Sequence, residues 1–261
     1  CLPAVIDMER ANGSCDTRHV LTVTTYFPNS SDRHRAVFIE NLVKAMRLQC
    51  KLTVVSPVPY APPFPWVKRW HSQRGIRRQE SVGDIDVLHP RFLVIPKLGW
   101  LSGIGYFLGT LSLLRKLKQQ HGRCVIHAHS AFPDGVGVAL VAKFLRLPYV
   151  ITVHGSDINI YAGRRILGTQ ISWALRGAAG VVAVSRDLQQ KVIRLTNGSI
   201  RRLTCIPCAG FDPATFYPGP SSARRASLDM SPGARVVVFV GQLVPVKGLE
   251  YLIEAWTILH E

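Results

Sequence analysis

The sequence predicts an α/β fold with a doubly wound, mostly parallel sheet. Short apolar runs, typical of strands buried on both faces, alternate along the chain with longer segments in which apolar residues recur every three or four positions. One stretch shows this most clearly: a strand at 125–128, a helix from Pro133 to about Arg146, and a second strand at 149–153. A strand, helix and strand of this length imply a parallel pair joined by a right-handed crossover.

The other elements follow the same alternation. The predicted strands of the first domain lie at 20–24, 52–55, 125–128, 149–153, 181–184 and 203–206, and 85–88 with 92–95 is predicted to be a further strand pair or an extended segment. The predicted helices lie at 39–46, 98–114, about 133–146, 164–176 and 187–195. Segment 98–114 is uncharged, but four glycines dilute its hydrophobicity and its length is at the lower limit for a membrane span. A buried or surface-lying helix is therefore predicted there.

The amino-acid composition of the chain changes after Pro207. Prolines, glycines and serines over 208–234 are typical of a linker. An apolar strand at 236–240 and a helix from about Leu249 follow it, and one strand with one helix cannot bury a core alone. The expected organisation is an irregular lead-in at 1–18, a first domain at 19–207, the linker, and the truncated start of a second domain at 235–261. A start at Cys1 and an end inside a helical pattern also favour a fragment.

The charge balance favours an anionic partner. Lys and Arg number 32 against 16 Asp and Glu, a formal net charge of +16. The segment at 66–78 combines basic residues with Trp66 and Trp70. It is open to three interpretations: a solvated loop, a nucleic-acid patch, or a contact with an anionic membrane. No nucleic-acid-binding module is recognisable, so the membrane contact is favoured, together with the 98–114 helix.

The cysteines give no sign of a metal or redox site. Only Cys205 and Cys208 form a CxxC pair, and no second pair or nearby histidines complete a zinc site. Reduced, structural cysteines are predicted. No cleavable signal pattern precedes the first strand. The expected location is the cytoplasm, with peripheral contact on the inner face of the membrane.

Polar residues mark the carboxyl ends of the central strands, where ligands bind in such sheets. The strand at 149–153 ends in His154, Gly155, Ser156 and Asp157. His154 is predicted to be functional, and Asp157 is as well explained by a helix cap. His127 and His129 are interpreted as strand-end residues packed near the site rather than as a metal pair.

Five segments together resemble glycosyltransferase family 4. They are the stretch His127–His129, VITVHGSD at 150–157, VVAVSRDL at 181–188, IPCAGFDPATFYP at 206–218 and VFVGQLVPVKGLEYLIEAW at 238–256. The resemblance covers nearly the whole chain from Val20 onward. It implies the GT-B fold, with two facing Rossmann-like domains, of which this chain would hold the first, acceptor-binding domain and the start of the second.

The resemblance also implies an activity and its residues. It implies a retaining transfer of a sugar from a nucleotide-diphosphate sugar to a carbohydrate or lipid-linked acceptor, in polysaccharide or glycolipid synthesis, without a metal or cofactor and without a nucleic-acid partner. His154 matches a family histidine at the reacting sugar, and Gly155, Ser156 and Asp157 would line the acceptor side. Gly241, Gln242, Lys247 and Gly248 would bind the donor phosphates.

Three positions depart from the family pattern, and one motif is missing. Gln242 stands where the family often has Arg, Cys208 where it has Asn, and Ala36 where it has Gly. The later pair of family glutamates would lie beyond Glu261, so the chain alone is expected to be inactive. The alternative function is a non-catalytic membrane- or anion-binding module. A dinucleotide-binding oxidoreductase is disfavoured because no GxGxxG follows the first strand.

Overall fold

The computed structural model describes residues 18–60, 73–207, 216–231, 233–241 and 243–260. The chain divides into two compact units, Cys1–Gly210 and Phe211–Glu261. Nearly all of the predicted lead-in lies outside the described residues. The same holds for Trp66, Trp70, Cys208 and Gln242.

The strands of unit 1 are β1 (His19–Val23), β2 (Leu52–Val55), β3 (Val58–Tyr60), β4 (Gln79–Val82), β5 (Ile85–Leu88), β6 (Arg91–Leu93), β7 (Cys124–His129), β8 (Tyr149–Val153), β9 (Gly180–Ala183) and β10 (Leu203–Cys205). Unit 1 is built on an eight-stranded sheet in the order β10-β9-β8-β7-β1-β2-β5-β4. Neighbouring strands pair in parallel except for the antiparallel pair β4–β5, and β3 and β6 form a separate parallel pair. The predicted parallel sheet is confirmed.

Two apolar cores show that the sheet is covered on both faces. Val54 and Val55 are consecutive in β2 and point to opposite faces; Val54 joins one core and Val55 the other. The helices of unit 1 are α1 (Val37–Arg47), α2 (Ser102–His121), α3 (Val136–Leu145), α4 (Arg165–Gly177) and α5 (Arg186–Thr196). Residues of α1 belong to one core, and residues of α2 to α5 belong to the larger one. No helix in the described part of the chain is long and apolar enough to cross a membrane.

Segments 85–88 and 92–95 contain the strands β5 and β6, but these two strands do not pair with each other. β5 pairs with β2 and β4, while β6 pairs with β3. The true partners were hidden because β3 lies at the start of a proline-rich stretch and β4, QESV, is almost entirely polar. Hydrophobic periodicity therefore did not reveal either strand.

Unit 2 contains helices in its described residues. These are α6 (Ser221–Ala226), which lies inside the predicted linker, and α7 (Leu249–His260), preceded by a 3-10 turn at Pro245–Lys247. The strand predicted at 236–240 is not formed. A strand exists only where a neighbouring strand satisfies its backbone groups, and the described residues of unit 2 offer no such neighbour.

The strand order places a crevice at the centre of the sheet. From β1 the chain first adds β2 on one side and later adds β7 on the other. The loops that leave the carboxyl ends of β1 and β7 therefore diverge to opposite faces. In open α/β sheets ligands bind at such a point.

Candidate functional site

The buried carboxylate of Asp157 ties two loops together at this edge of the sheet. Its Oδ2 accepts a hydrogen bond from the backbone N–H of Ala131, after β7, at 2.8 Å. Its Oδ1 accepts from the N–H of Gly155 at 2.8 Å, of Ile158 at 3.1 Å and of His154 at 3.2 Å. Several backbone donors on one carboxylate form strong, charge-assisted bonds. Asp157 therefore fixes the backbone on which His154 stands.

His154 is held from its own loop and from the neighbouring strand. Its Nε2 lies 3.2 Å from Nδ1 of His129, and its ring packs against Phe38 of α1 at 5.3 Å between centroids. Gly155 has φ +138°, which a side chain rarely permits, so a glycine suits this turn. Ser156 is exposed and His154 is half-buried. The four predicted residues 154–157 are thus gathered at one place, with Asp157 below the surface.

A row of buried histidines continues from His154 into the sheet. The rings of His127 and His129 lie 4.2 Å apart, and Nε2 of His127 lies 2.8 Å from Oγ1 of Thr152. Burial lowers the pKa of His127 to about 4, and it lowers the pKa of His129 well below its usual range. Burial also lowers the pKa of His154, against the opposing charge of Asp157. The row is therefore neutral at physiological pH.

These lowered pKa values predict that acid destabilises the fold. Unfolded His127 binds a proton near pH 6.5 and folded His127 only near 4, so stability is lost as the pH falls through this window. The loss attributable to His127 is about 3 kcal/mol. We expect His127→Gln to flatten the fall in the free energy of unfolding between pH 6.5 and 4, measured by urea denaturation. His34→Gln, at an exposed position, is the control and should keep the wild-type slope. Equal slopes in both variants would contradict the prediction.

Asp134, near the start of the helix predicted from Pro133, is a site residue that the sequence pattern did not single out. It is fully buried, and its Oδ2 accepts hydrogen bonds from the backbone N–H of Thr25 at 3.0 Å and from the Thr25 hydroxyl at 3.2 Å. These bonds hold the loop after β1 against the loop after β7, across the crevice. Burial raises the pKa of Asp134 to about 7, although the bonds from Thr25 oppose the shift.

The other carboxylate oxygen of Asp134 faces a buried hydroxyl. Within the described part of unit 1, neither Oδ1 of Asp134 nor the hydroxyl oxygen of Tyr106 has a hydrogen-bond partner of normal geometry. Burial, with the charge of Asp134, raises the pKa of Tyr106 well above its usual value. Asp134 could have been found by the rule that selected 154–157, because it also follows the carboxyl end of a central strand.

Ala36, one of the departures from the family pattern, occupies a backbone conformation that suits glycine. It is the N-cap of α1 and has φ +47°. Left-handed backbone is unfavourable for residues with a Cβ, which explains why a glycine is expected at this position. The first turn of α1 carries Phe38, which contacts His154, so this strained cap lies close to the candidate site.

The predicted phosphate-binding residues lie in unit 2. Lys247 is exposed at the end of the 3-10 turn, and Gly248, with φ +66°, leads directly into α7. Gly241 precedes this turn outside any helix or strand, and Gln242 lies outside the described residues. The structure therefore brings Lys247 and Gly248 to the amino end of a helix of 12 residues, where backbone N–H groups favour an anion.

Comparison with known proteins assigns the chain to a family. Residues 36–210 match the family model described as Glycosyltransferase Family 4. A Bacillus subtilis (strain 168) protein, TuaC, assigned as a teichuronic acid biosynthesis glycosyltransferase, is 28% identical, and the match covers 90% of this chain and 61% of TuaC.

Two solved structures share the fold. Sucrose-phosphate synthase from Thermosynechococcus elongatus has a TM-score of 0.61 at 15% identity, covering 92% of this chain and 59% of its own. Anabaena Alr3699/HepE in complex with UDP-glucose has a TM-score of 0.53 at 19% identity, covering 91% of this chain and 57% of its own. The predicted fold class, the doubly wound parallel sheet of a GT-B amino-terminal domain, is confirmed. The chain spans about three fifths of the length of each of these relatives.

Proposed function

This chain belongs to glycosyltransferase family 4, and we propose that its protein transfers a sugar, with retention of configuration, from a nucleotide-diphosphate sugar to an acceptor hydroxyl. The observation that carries the proposal is the loop at 154–157. It lies beside the topological switch point of the sheet and is held by four backbone hydrogen bonds to Asp157. The family match over residues 36–210 includes this loop.

His154 is the proposed catalytic residue. One of its ring nitrogens, Nε2, is occupied by His129, so Nδ1 is the nitrogen that can bond to sugar or phosphate oxygens. With its pKa lowered, the ring is neutral and acts through hydrogen bonding rather than as a fixed charge. Gly155 and Ser156 then contribute the acceptor side, and Asp157 positions the loop without touching the substrate. Such preorganised groups are effective because they need no rearrangement as the reaction proceeds.

The leaving diphosphate gains negative charge, which unit 2 is proposed to meet. Lys247 supplies a cation, and the N–H groups after Gly248 supply the amino end of α7. Gly241 allows close approach of the backbone, and Gln242 donates a hydrogen bond where the family often places a charge. The complex of HepE, a neighbour of this fold, with UDP-glucose supports a nucleotide-sugar donor.

The proposed acceptor is a carbohydrate or a lipid-linked carbohydrate, and the proposed pathway is polysaccharide or glycolipid synthesis. The assignment of TuaC to teichuronic acid biosynthesis supports the polysaccharide. We place the protein in the cytoplasm, peripheral to the inner face of the membrane, on the strength of its formal charge of +16. No nucleic-acid partner is proposed.

The test uses protein expressed from the complete open reading frame and a panel of nucleotide sugars, with released nucleotide as the readout. His154→Ala and Lys247→Ala should each lower turnover by about tenfold to a hundredfold, because each removes one group that stabilises developing charge. Lys51→Ala is the control. It changes an exposed lysine at the amino end of β2, on the edge of the sheet opposite the candidate site, and this variant should turn over substrate as the wild type does. Wild-type turnover in His154→Ala would remove this residue from the mechanism. A wild-type protein that binds donor yet releases no nucleotide with any acceptor would favour the binding module.

A further inference from the structure

Three neighbouring helices of unit 1, α2, α3 and α4, carry charge of a single sign. From Lys97 to Arg186, both included, the sequence contains eleven Lys and Arg residues but only two acidic residues, Asp134 and Asp157. Both of these acids are buried and belong to the candidate site. Helices α2, α3 and α4 contain no acidic residue at all. In the layer that these three helices form, the exposed charges are therefore all basic.

The same layer exposes large apolar side chains. Trp100, Ile104 and Leu108 follow at intervals of four along the turn before α2 and along α2 itself, and Leu108 is 67% exposed. Arg115 continues this stripe two turns further on. Phe144, at the end of α3, is 62% exposed and contacts Phe107 of α2 edge-on, with the ring centroids 6.2 Å apart.

A second stripe lies on α4. Ile166, Trp173 and Arg176 occupy its exposed side, and the neighbouring Gln170 donates a hydrogen bond from Nε2 to the carbonyl oxygen of Trp100 at 3.1 Å. That bond joins the start of the α2 stripe to α4. We call the two stripes with Phe144 the basic apolar face; its apolar members are Trp100, Ile104, Leu108, Phe144, Ile166 and Trp173.

The basic apolar face begins beside the candidate site. A Cβ on Gly103, in the first turn of α2, would lie 2.6 Å from Val136, so the start of α2 packs directly on the start of α3. Val136 follows the Asp134 turn at the carboxyl end of β7. Trp100 and Ile104 consequently lie at the end of unit 1 where the loops at 131–135 and 154–157 meet.

We propose that the basic apolar face docks on an anionic lipid bilayer. Lys and Arg meet the headgroup charge, tryptophans suit the interface, and exposed Ile, Leu and Phe gain by leaving water. Nucleic acid would use the basic residues and could stack on the tryptophans, but it offers nothing to Ile104 or Leu108. The inference rests on the proposed function in one respect: it makes the acceptor a lipid-linked molecule that reaches the site from the membrane.

The test is co-sedimentation of the full chain with vesicles of phosphatidylglycerol and phosphatidylcholine, against vesicles of phosphatidylcholine alone. We expect binding to the anionic vesicles that falls steeply with added salt. The double variant Ile104→Gln/Leu108→Gln should bind at least about tenfold more weakly, as should Arg115→Gln/Lys116→Gln. Leu48→Gln is the matched control, because Leu48 is 88% exposed just after α1, which covers the opposite face of the sheet.

Each outcome decides the proposal. No sedimentation with anionic vesicles at low salt overturns it, and equal loss in Leu48→Gln and Ile104→Gln/Leu108→Gln overturns the location of the face. Binding to an oligonucleotide that depends on Arg115 and Lys116 but not on Ile104 and Leu108, with no vesicle binding, assigns nucleic acid instead. Vesicle binding is measured without turnover, so a protein that binds vesicles but transfers no sugar refutes the proposed function alone.

Discussion

Asp157→Ala is expected to lower the free energy of unfolding by about 4 kcal/mol, because it leaves four backbone N–H groups at the carboxyl edge without their acceptor. The donors are those of Ala131, His154, Gly155 and Ile158, and Asp157 is 3% exposed. Water cannot easily replace the missing oxygens in a space so enclosed. The loop at 154–157 should loosen even where the rest of unit 1 stays folded, so turnover should fall as well.

Two further variants separate this role from an ordinary loss of charge. Asp157→Asn keeps one acceptor oxygen and should cost less than the alanine variant. Asp187→Ala removes an acid that is exposed on α5 and paired with Lys191, and a surface pair of this kind is worth about 0 to 1 kcal/mol. Urea denaturation followed by circular dichroism gives all three values. An Asp157→Ala variant as stable as Asp187→Ala would show that the four hydrogen bonds do not hold the loop.

Gly105→Ala is expected to destabilise unit 1 by about 3 kcal/mol, although alanine is the better helix former. The added Cβ would lie 2.1 Å from the backbone carbonyl oxygen of Leu93 in β6. A backbone atom cannot rotate away as a side chain can, so α2 and β6 must separate. Steric repulsion therefore outweighs the gain in helix propensity of about 1 kcal/mol.

Gly99→Ala provides the matched control for this substitution. Gly99 lies in the turn just before α2, and a Cβ there would meet nothing within 4 Å. Its thermal midpoint should equal that of the wild type or lie slightly above it, while the midpoint of Gly105→Ala falls by several degrees. A Gly105→Ala protein with the wild-type midpoint would refute the close contact between α2 and β6.

The part of the fold that follows from local pattern was predictable. Apolar runs such as 149–153 and 181–184 identified the buried parallel strands, and the apolar spacing around Ile39 and Val43 identified α1. β3 and β4 were not predicted because apolar and polar residues do not alternate in them. The strand predicted at 236–240 is absent for the opposite reason: an apolar run forms a strand only when a neighbouring strand pairs with it.

The candidate site, like the fold, could be predicted only in part. Its position at the carboxyl end of β8 could be predicted, because that depends on the order of strands and loops along one stretch of chain. The bond between Thr25 and Asp134 joins residues 109 positions apart, and the bond between His129 and His154 joins residues 25 apart. Pattern along the chain contains no information about such pairs.

By itself, the sequence determined that this protein has a parallel α/β domain and that the chain is strongly basic. It also determined that residues 154–157 directly follow a central strand. Only the tertiary structure decided that Asp157 and Asp134 are buried and hold neighbouring loops by hydrogen bonds. It also decided that one ring nitrogen of His154 is hydrogen-bonded to His129. It further decided that the helices α2 and α3, which carry no acidic residue, expose Leu108 and Phe144. The physical reason is that burial and hydrogen bonding depend on which distant segments meet, whereas strand and helix formation depend mainly on neighbours in sequence.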